Sequence, residues 1–215
     1  SLKIKPESET ANFNTANAHN RIGNYEKAVK YFQKAIDISP NNFSILLNYG
    51  KCLRRLKIYD QAIAKFKKVL NYDQNNYDAW FNIGIVFRED GKFNESLSAF
   101  ENAIKIKPKN PIIYNHQGVT LCGLELYEEA LICFLNALKF KHNNLLEVYT
   151  NIISTNIVQY HKDQNSDLSI TKIYAQKILE IDPKNILALK YLGLSYMYSY
   201  EIDNALKYMH EVLKI

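Results

Sequence analysis

"AWFNIGIVFREDGKFNESLSAFENAIKIKP" (residues 79–108) is the stretch whose reading decides the fold. Trp80, Ile83, Gly84 and Phe87 recur at helical spacing, so an amphipathic helix is expected over about residues 76–89. Asp90-Gly91 ends it, because glycine suits the left-handed residue that follows a helix. A second helix is expected over about residues 93–106, with Leu97, Phe100, Ala103 and Ile104 on one face and Pro108 as its stop. Gly84 and Ala103 are small enough to let the two helices approach closely. Phe100 is expected to fill the space between its own helix pair and the next.

Working outward, Phe100 is one of four phenylalanines set 34 residues apart: Phe32, Phe66, Phe100 and Phe134. The same interval relates Ala16, Gly50, Gly84 and Gly118, and it relates Ala28, Ala62, Ser96 and Ala130. "NYEKAVKYFQKAIDISP" (residues 24–40) and "KFNESLSAFENAIKIKP" (residues 92–108) are nearly one sentence written twice. A fixed period between 20 and 50 residues is the mark of a repeat array, in which each unit buries its apolar face only against its neighbours.

The order Trp80, Gly84, Phe87, then Ser96, Phe100, Ala103 and Pro108 resembles the tetratricopeptide repeat. The resemblance covers essentially the whole chain. It implies an all-α fold, a right-handed superhelical solenoid of antiparallel helix pairs with about 12 helices. The units read as residues 9–42, 43–76, 77–110 and 111–144, then 145–185 and 186–215, all within one solenoid domain. The fifth carries about seven extra residues, since His142 and Pro183 are 41 apart where the period is 34. The extra length is placed at "HKDQNSD" (residues 161–167), as a lengthened turn or as longer helices. Residues 1–8 read as the tail of a preceding unit, because "LKIKP" (residues 2–6) repeats the "IKIKP" of residues 104–108. Both ends fall inside the pattern, so the expectation is a fragment of a longer protein whose open ends favour self-association.

Bulk composition narrows the function. The chain has 215 residues, 47% apolar and 13% aromatic, too apolar for disorder. A net charge of +5, with basic and acidic residues interleaved, does not make a nucleic-acid stripe. No stretch approaches the ~18 apolar residues of a membrane helix. Cys52, Cys122 and Cys133 have no CxxC spacing and read as buried thiols, pointing to a reducing, cytoplasmic setting. The five histidines show no metal-ligand spacing, and no glycine-rich phosphate loop is present. Neither a catalytic group nor a cofactor is expected, and the chain is not read as an enzyme.

The resemblance places the first helix of each unit on an inner, concave surface. The slot two residues before the small Ala or Gly holds Asn14, Asn48 and Asn82, then His116, Thr150 and Tyr191. Three asparagines at one interval form a row, and an amide has two donors and an oxygen that accepts twice. Such a row suits the main chain of an extended peptide. It resembles the asparagine row of the enzyme that transfers N-acetylglucosamine to serine and threonine. Lys51, Arg54 and Arg88 follow on the same helices and suit carboxylates on a ligand. The slots of the chaperone carboxylate clamp hold Phe13, Asn17, Asn48, Asp78 and Asn82, so Asn17 and Asn48 fit its asparagine positions while Phe13, Asp78 and Asn82 fail its three cationic ones. The expected contacts are therefore Asn14, Asn17, Asn48, Lys51, Arg54, Asn82, Arg88 and His116. The expected role is a protein-interaction scaffold for an extended or helical peptide, without nucleic acid or membrane. The alternative is the non-catalytic repeat region of an enzyme such as an O-linked N-acetylglucosamine transferase.

Overall fold

A computed structural model describes residues 8–163 and 167–215. Residues 1–7, which the sequence assigns to the tail of a preceding unit, and residues 164–166 of the expected insertion lie outside the described residues. Among the described residues the secondary structure is twelve α-helices and no strand, paired in order as the all-α solenoid class requires. The chain divides at Pro108 into two compact units.

The first unit holds α1 (Glu9–Arg21), α2 (Tyr25–Ile38), α3 (Phe43–Arg55), α4 (Tyr59–Tyr72), α5 (Tyr77–Glu89) and α6 (Phe93–Ile106). The second holds α7 (Pro111–Gly123), α8 (Tyr127–Lys139), α9 (Leu145–Lys162), α10 (Ser169–Ile181), α11 (Ile186–Tyr198) and α12 (Ile202–Leu213). Within each unit, successive hairpins stack by laying the second helix of one against the first helix of the next. No described helix is long and apolar enough to cross a membrane.

Local chemistry sets the helix ends. α3, α5, α9 and α11 start behind Asn42, Asn76, Asn144 and Asn185, whose amide oxygens accept from the N–H three residues on, at 3.1–3.3 Å. Asn110 caps α7 one residue earlier, accepting from Ile112 N–H at 3.0 Å, with Pro111 in the first turn. The turn inside a hairpin needs one left-handed residue. Gly23 and Gly91 supply it at φ +77° and +75°. Lys57, Glu125 and Tyr200 hold the same slot at φ 59–64°, a conformation that costs a side-chain-bearing residue energy.

Phe32, Phe66, Phe100 and Phe134 are all fully buried. Phe100 packs on α5 of its own hairpin, against Gly84 and Phe81. Phe32 spans two hairpins, touching Phe13 on α1 and stacking on Tyr49 of α3 at 5.8 Å. The fifth hairpin exchanges the sizes: Ile152 stands in the glycine slot and Ala175 in the phenylalanine slot, both fully buried.

The extra length of that hairpin goes partly into α9, which runs 18 residues to Lys162. One buried side chain then fixes the restart. Asn156 donates to the Asp167 carbonyl at 3.0 Å and accepts from the Thr171 N–H at 3.3 Å and its hydroxyl at 2.8 Å. Asp167 accepts from the Ser169 N–H at 2.8 Å, so α10 is capped from just outside its first turn.

Candidate functional site

In the first unit α1, α3 and α5 pack side by side, which brings Asn14, Asn48 and Asn82 into equivalent positions on neighbouring helices. Their exposure falls along the row. Asn14 is exposed, Asn48 half-buried, and Asn82 only 5% exposed. The side-chain amide of Asn48 donates to the Ser44 carbonyl at 2.8 Å, and that of Asn82 to the Asp78 carbonyl at 2.6 Å. These bonds run one turn back along the same helix. Each spends one of the two N–H groups that the sequence reading offers to a ligand. The amide oxygen and the second N–H are what remain. The expectation of a full donor-and-acceptor set is corrected to a smaller one, most of all at Asn82.

Asn17 and Lys51 are half-buried one turn further along α1 and α3. The residue before each asparagine is apolar, as Phe13, Leu47 and Phe81, and each is half-buried. Phe81 stacks on Tyr77 at 5.6 Å and tilts against Phe100 at 5.9 Å. The row is therefore seated on a semi-exposed apolar floor.

Arg54, expected to suit a ligand carboxylate, is half-buried beside an acid of its own chain. Its guanidinium pairs with Glu89 at the end of α5, cross-linking two hairpins. Its Nε is buried without a hydrogen-bond partner. Beside the pair lies a depression of about 300 Å³ lined by Arg54, Arg55, Lys57, Tyr59 and Glu89. Burial, then the Glu89 and Asp90 carboxylates, hold the Tyr59 phenol above its ordinary pKa, so it is a neutral hydroxyl near pH 7. Arg88 is half-buried near the end of α5. His116 lies on α7, in the second unit, where its carbonyl accepts from the Thr120 hydroxyl at 2.9 Å.

The second unit carries a polar joint that sequence reasoning missed. Asn115 on α7 is buried, donates to Glu147 at 2.7 Å and accepts from Asn151 at 3.0 Å. Asn144 holds the other oxygen of Glu147 at 3.1 Å. α7 and α9 are thereby tied through four polar side chains. The signal was present: Phe13, Leu47, Phe81 and Tyr149 fill the corresponding slot, and Asn115 is the polar exception. A buried polar group without partners is costly, so its partners had to exist.

Tetratricopeptide repeat profiles match residues 2–43, 23–83 and 77–110, together just over half of the chain. The chain belongs to the tetratricopeptide repeat family. Among solved structures, the C-terminal part of a TPR repeat-containing protein from Cytophaga hutchinsonii superposes with a TM-score of 0.78 at 19% identity. That match covers 98% of this chain and 84% of the other. The pilF protein of Pseudomonas aeruginosa gives 0.73 at 16% identity, covering 93% and 88%. YrrB, described as a TPR protein with an unusual peptide-binding site, gives 0.67 at 21% identity, covering 85% and 91%. No curated protein sequence matches the chain. At these identities the likeness to the TPR structures is one of fold.

Proposed function

We propose that this TPR chain is a protein-interaction scaffold, and that the α1–α3–α5 face of its first unit receives an extended peptide segment. One observation supports the reading above the others: Asn14, Asn48 and Asn82 hold one slot on three helices that pack side by side. An extended main chain presents donors and acceptors at intervals of ~3.3 Å per residue. A repeating amide can meet them without reading the ligand's side chains. Asn14 and Asn48 carry most of this contact, because Asn82 is nearly buried.

Asn17 and Lys51 extend the contact along the first two helices, and Lys51 suits a carboxylate on the ligand. Arg54 and Arg88 stand at the end of the face. Arg54 is committed to Glu89, so a ligand carboxylate gains it by sharing or displacing that partner. Partner chemistry of this kind needs no cofactor. The Phe13, Leu47 and Phe81 floor adds apolar burial, which makes affinity less dependent on salt than phosphate binding.

The test begins with ligands selected from a displayed peptide library and measured by fluorescence anisotropy. Asn48→Ala should weaken them about tenfold, the worth of roughly one hydrogen bond, without moving the unfolding midpoint. Lys51→Ala should weaken acidic ligands selectively. Unchanged affinity in both variants, or a library that yields no ligand, would remove the site from this face.

A further inference from the structure

The depression beside Arg54 holds more positive charge than its own chain neutralises. It measures about 300 Å³ and is lined by Arg54, Arg55, Lys57, Tyr59 and Glu89. These residues lie where α3 ends, α4 begins and α5 ends, all within the first unit. Arg54 and Glu89 cancel each other. Arg55 and Lys57 are exposed, and among the described residues neither meets an acid. The acids nearby are drawn elsewhere. Asp90 pairs with Lys92 at 2.5 Å, and Asp60 attracts the same ammonium. That group keeps one acid in excess, against two unneutralised cations at the depression.

We propose that this depression binds the phosphoryl group of a phosphorylated side chain, carried by the peptide segment that the α1–α3–α5 face receives. The inference rests on the peptide reading of that face and names its ligand class. A phosphate monoester carries a charge of about −1.5 to −2 near pH 7 and three strong acceptor oxygens. Arg55 and Lys57 match that charge, whereas a single carboxylate leaves one of them unmet. Arginine presents its N–H groups in a fork that fits phosphate oxygens. Glu89 occupies Nη1 of Arg54, so that guanidinium keeps further donors while the pair holds it in place. Tyr59 adds a neutral hydroxyl that can donate.

Lys57 is the second pointer. It holds φ 59° in the turn slot that Gly23 and Gly91 fill in the other two hairpins of this unit. The chain keeps a lysine where glycine suits the backbone better, and that lysine lines the depression. The volume reaches the lower end of small-ligand sites, ~300 Å³, which accommodates a phosphoryl group together with the side chain that carries it.

Two probes test this. The first is N-acetyl-phosphoserine amide, followed by the Nε–H signals of Arg54 and Arg55 in an NMR titration. Both signals should shift saturably, and N-acetyl-aspartate amide should bind at least about tenfold more weakly. Arg55→Gln combined with Lys57→Gln should abolish the phosphoserine response while helix content is retained. The second probe is one library-selected peptide with phosphoserine placed at each position in turn, measured by anisotropy. One position should tighten binding about tenfold or more. The double variant should lose that gain and bind the unphosphorylated peptide as before. Equal response to the two amides, no response to either, or a response that survives the double variant overturns the proposal. So does inorganic phosphate that binds as tightly as the phosphoserine amide with no gain at any peptide position, which would make this a site for free phosphate. The peptide reading fails separately, through unphosphorylated peptides and Asn48→Ala, so the two failures are distinguishable.

Discussion

A β-carbon placed on Gly84 would lie 2.6 Å from Cε1 of Phe100. The same relation holds between Gly50 and Phe66 and between Gly118 and Phe134, each again at 2.6 Å. In the last hairpin Met209 replaces the phenylalanine against Gly193, at 2.8 Å. The hairpin is closed by a ring driven into the space where a side chain is missing. Gly84→Ala should gain about 1 kcal/mol of helix propensity and lose roughly 1–3 kcal/mol to overpacking. The expected result is a net destabilisation, seen as a lower urea midpoint. Phe100→Leu in the Gly84→Ala background should recover part of it, because a shorter side chain leaves room for the methyl. A gain in stability from Gly84→Ala alone would mean the ring is not fixed there.

The turn slot gives the opposite sign. Lys57 holds φ 59° where Gly23 and Gly91 hold +77° and +75° with nothing within 4 Å. A left-handed backbone costs an L-residue ~1–2 kcal/mol, and glycine gives back roughly 0.5–1 kcal/mol of that through the entropy of the unfolded chain. Lys57→Gly should therefore raise stability by about 0.5 kcal/mol in urea unfolding. A decrease would show that Lys57 makes a compensating contact.

These two positions show how much the sequence revealed and where it stopped. A 34-residue interval exposes the helix pairs because each hairpin must bury the same stripe, so the small residue and the ring recur in register. The helix expected over residues 76–89 is α5 (Tyr77–Glu89), and its partner is α6 (Phe93–Ile106) as read. Exchange of volume between two slots hides from such a reading. Ile152 and Ala175 each break the pattern alone and satisfy it together. Charge pairing across hairpins is equally hidden. Arg54 and Glu89 are 35 residues apart, one more than the period, and which cation meets which acid depends on side-chain reach rather than spacing. The asparagine row was legible as a row, but the back-bonds of Asn48 and Asn82 depend on rotamers that no periodicity records.

The thiols make a pH prediction. Burial, with Glu26 adding, pushes the Cys52 thiol up to about 11. Burial, with Cys122 and Glu129 adding, pushes Cys133 up to about 11 as well. Both values lie above the ordinary 9.0, so the fold favours the neutral thiol. The unfolded chain loses these protons first as pH rises. Stability from the two groups is complete below about pH 9 and should fall progressively between about pH 9 and pH 11. Urea midpoints across that window should show the fall, and Cys52→Ala with Cys133→Ala should flatten it while lowering the plateau. Near pH 7 both thiols should react slowly with a disulfide reagent until the chain unfolds. Rapid labelling of the folded chain at both positions would contradict this.

The connection in the lengthened fifth hairpin is organised around Asn156. Asn156 is buried and serves three partners at once: the Asp167 carbonyl, the Thr171 N–H and the Thr171 hydroxyl. Removing it leaves polar groups on Thr171, itself fully buried, without the acceptor they now use. Asn156→Ala should cost roughly 1–3 kcal/mol, the penalty of unsatisfied buried groups. Asn156→Asp separates the two halves of the role. It keeps the acceptor that both Thr171 groups use and loses the donor to Asp167. If fixing the start of α10 is what matters, the aspartate should retain slow exchange of the Thr171 amide, and the alanine should lose it. If both variants lose that protection equally, the donor bond to Asp167 is the one that anchors the connection, and the acceptor is secondary.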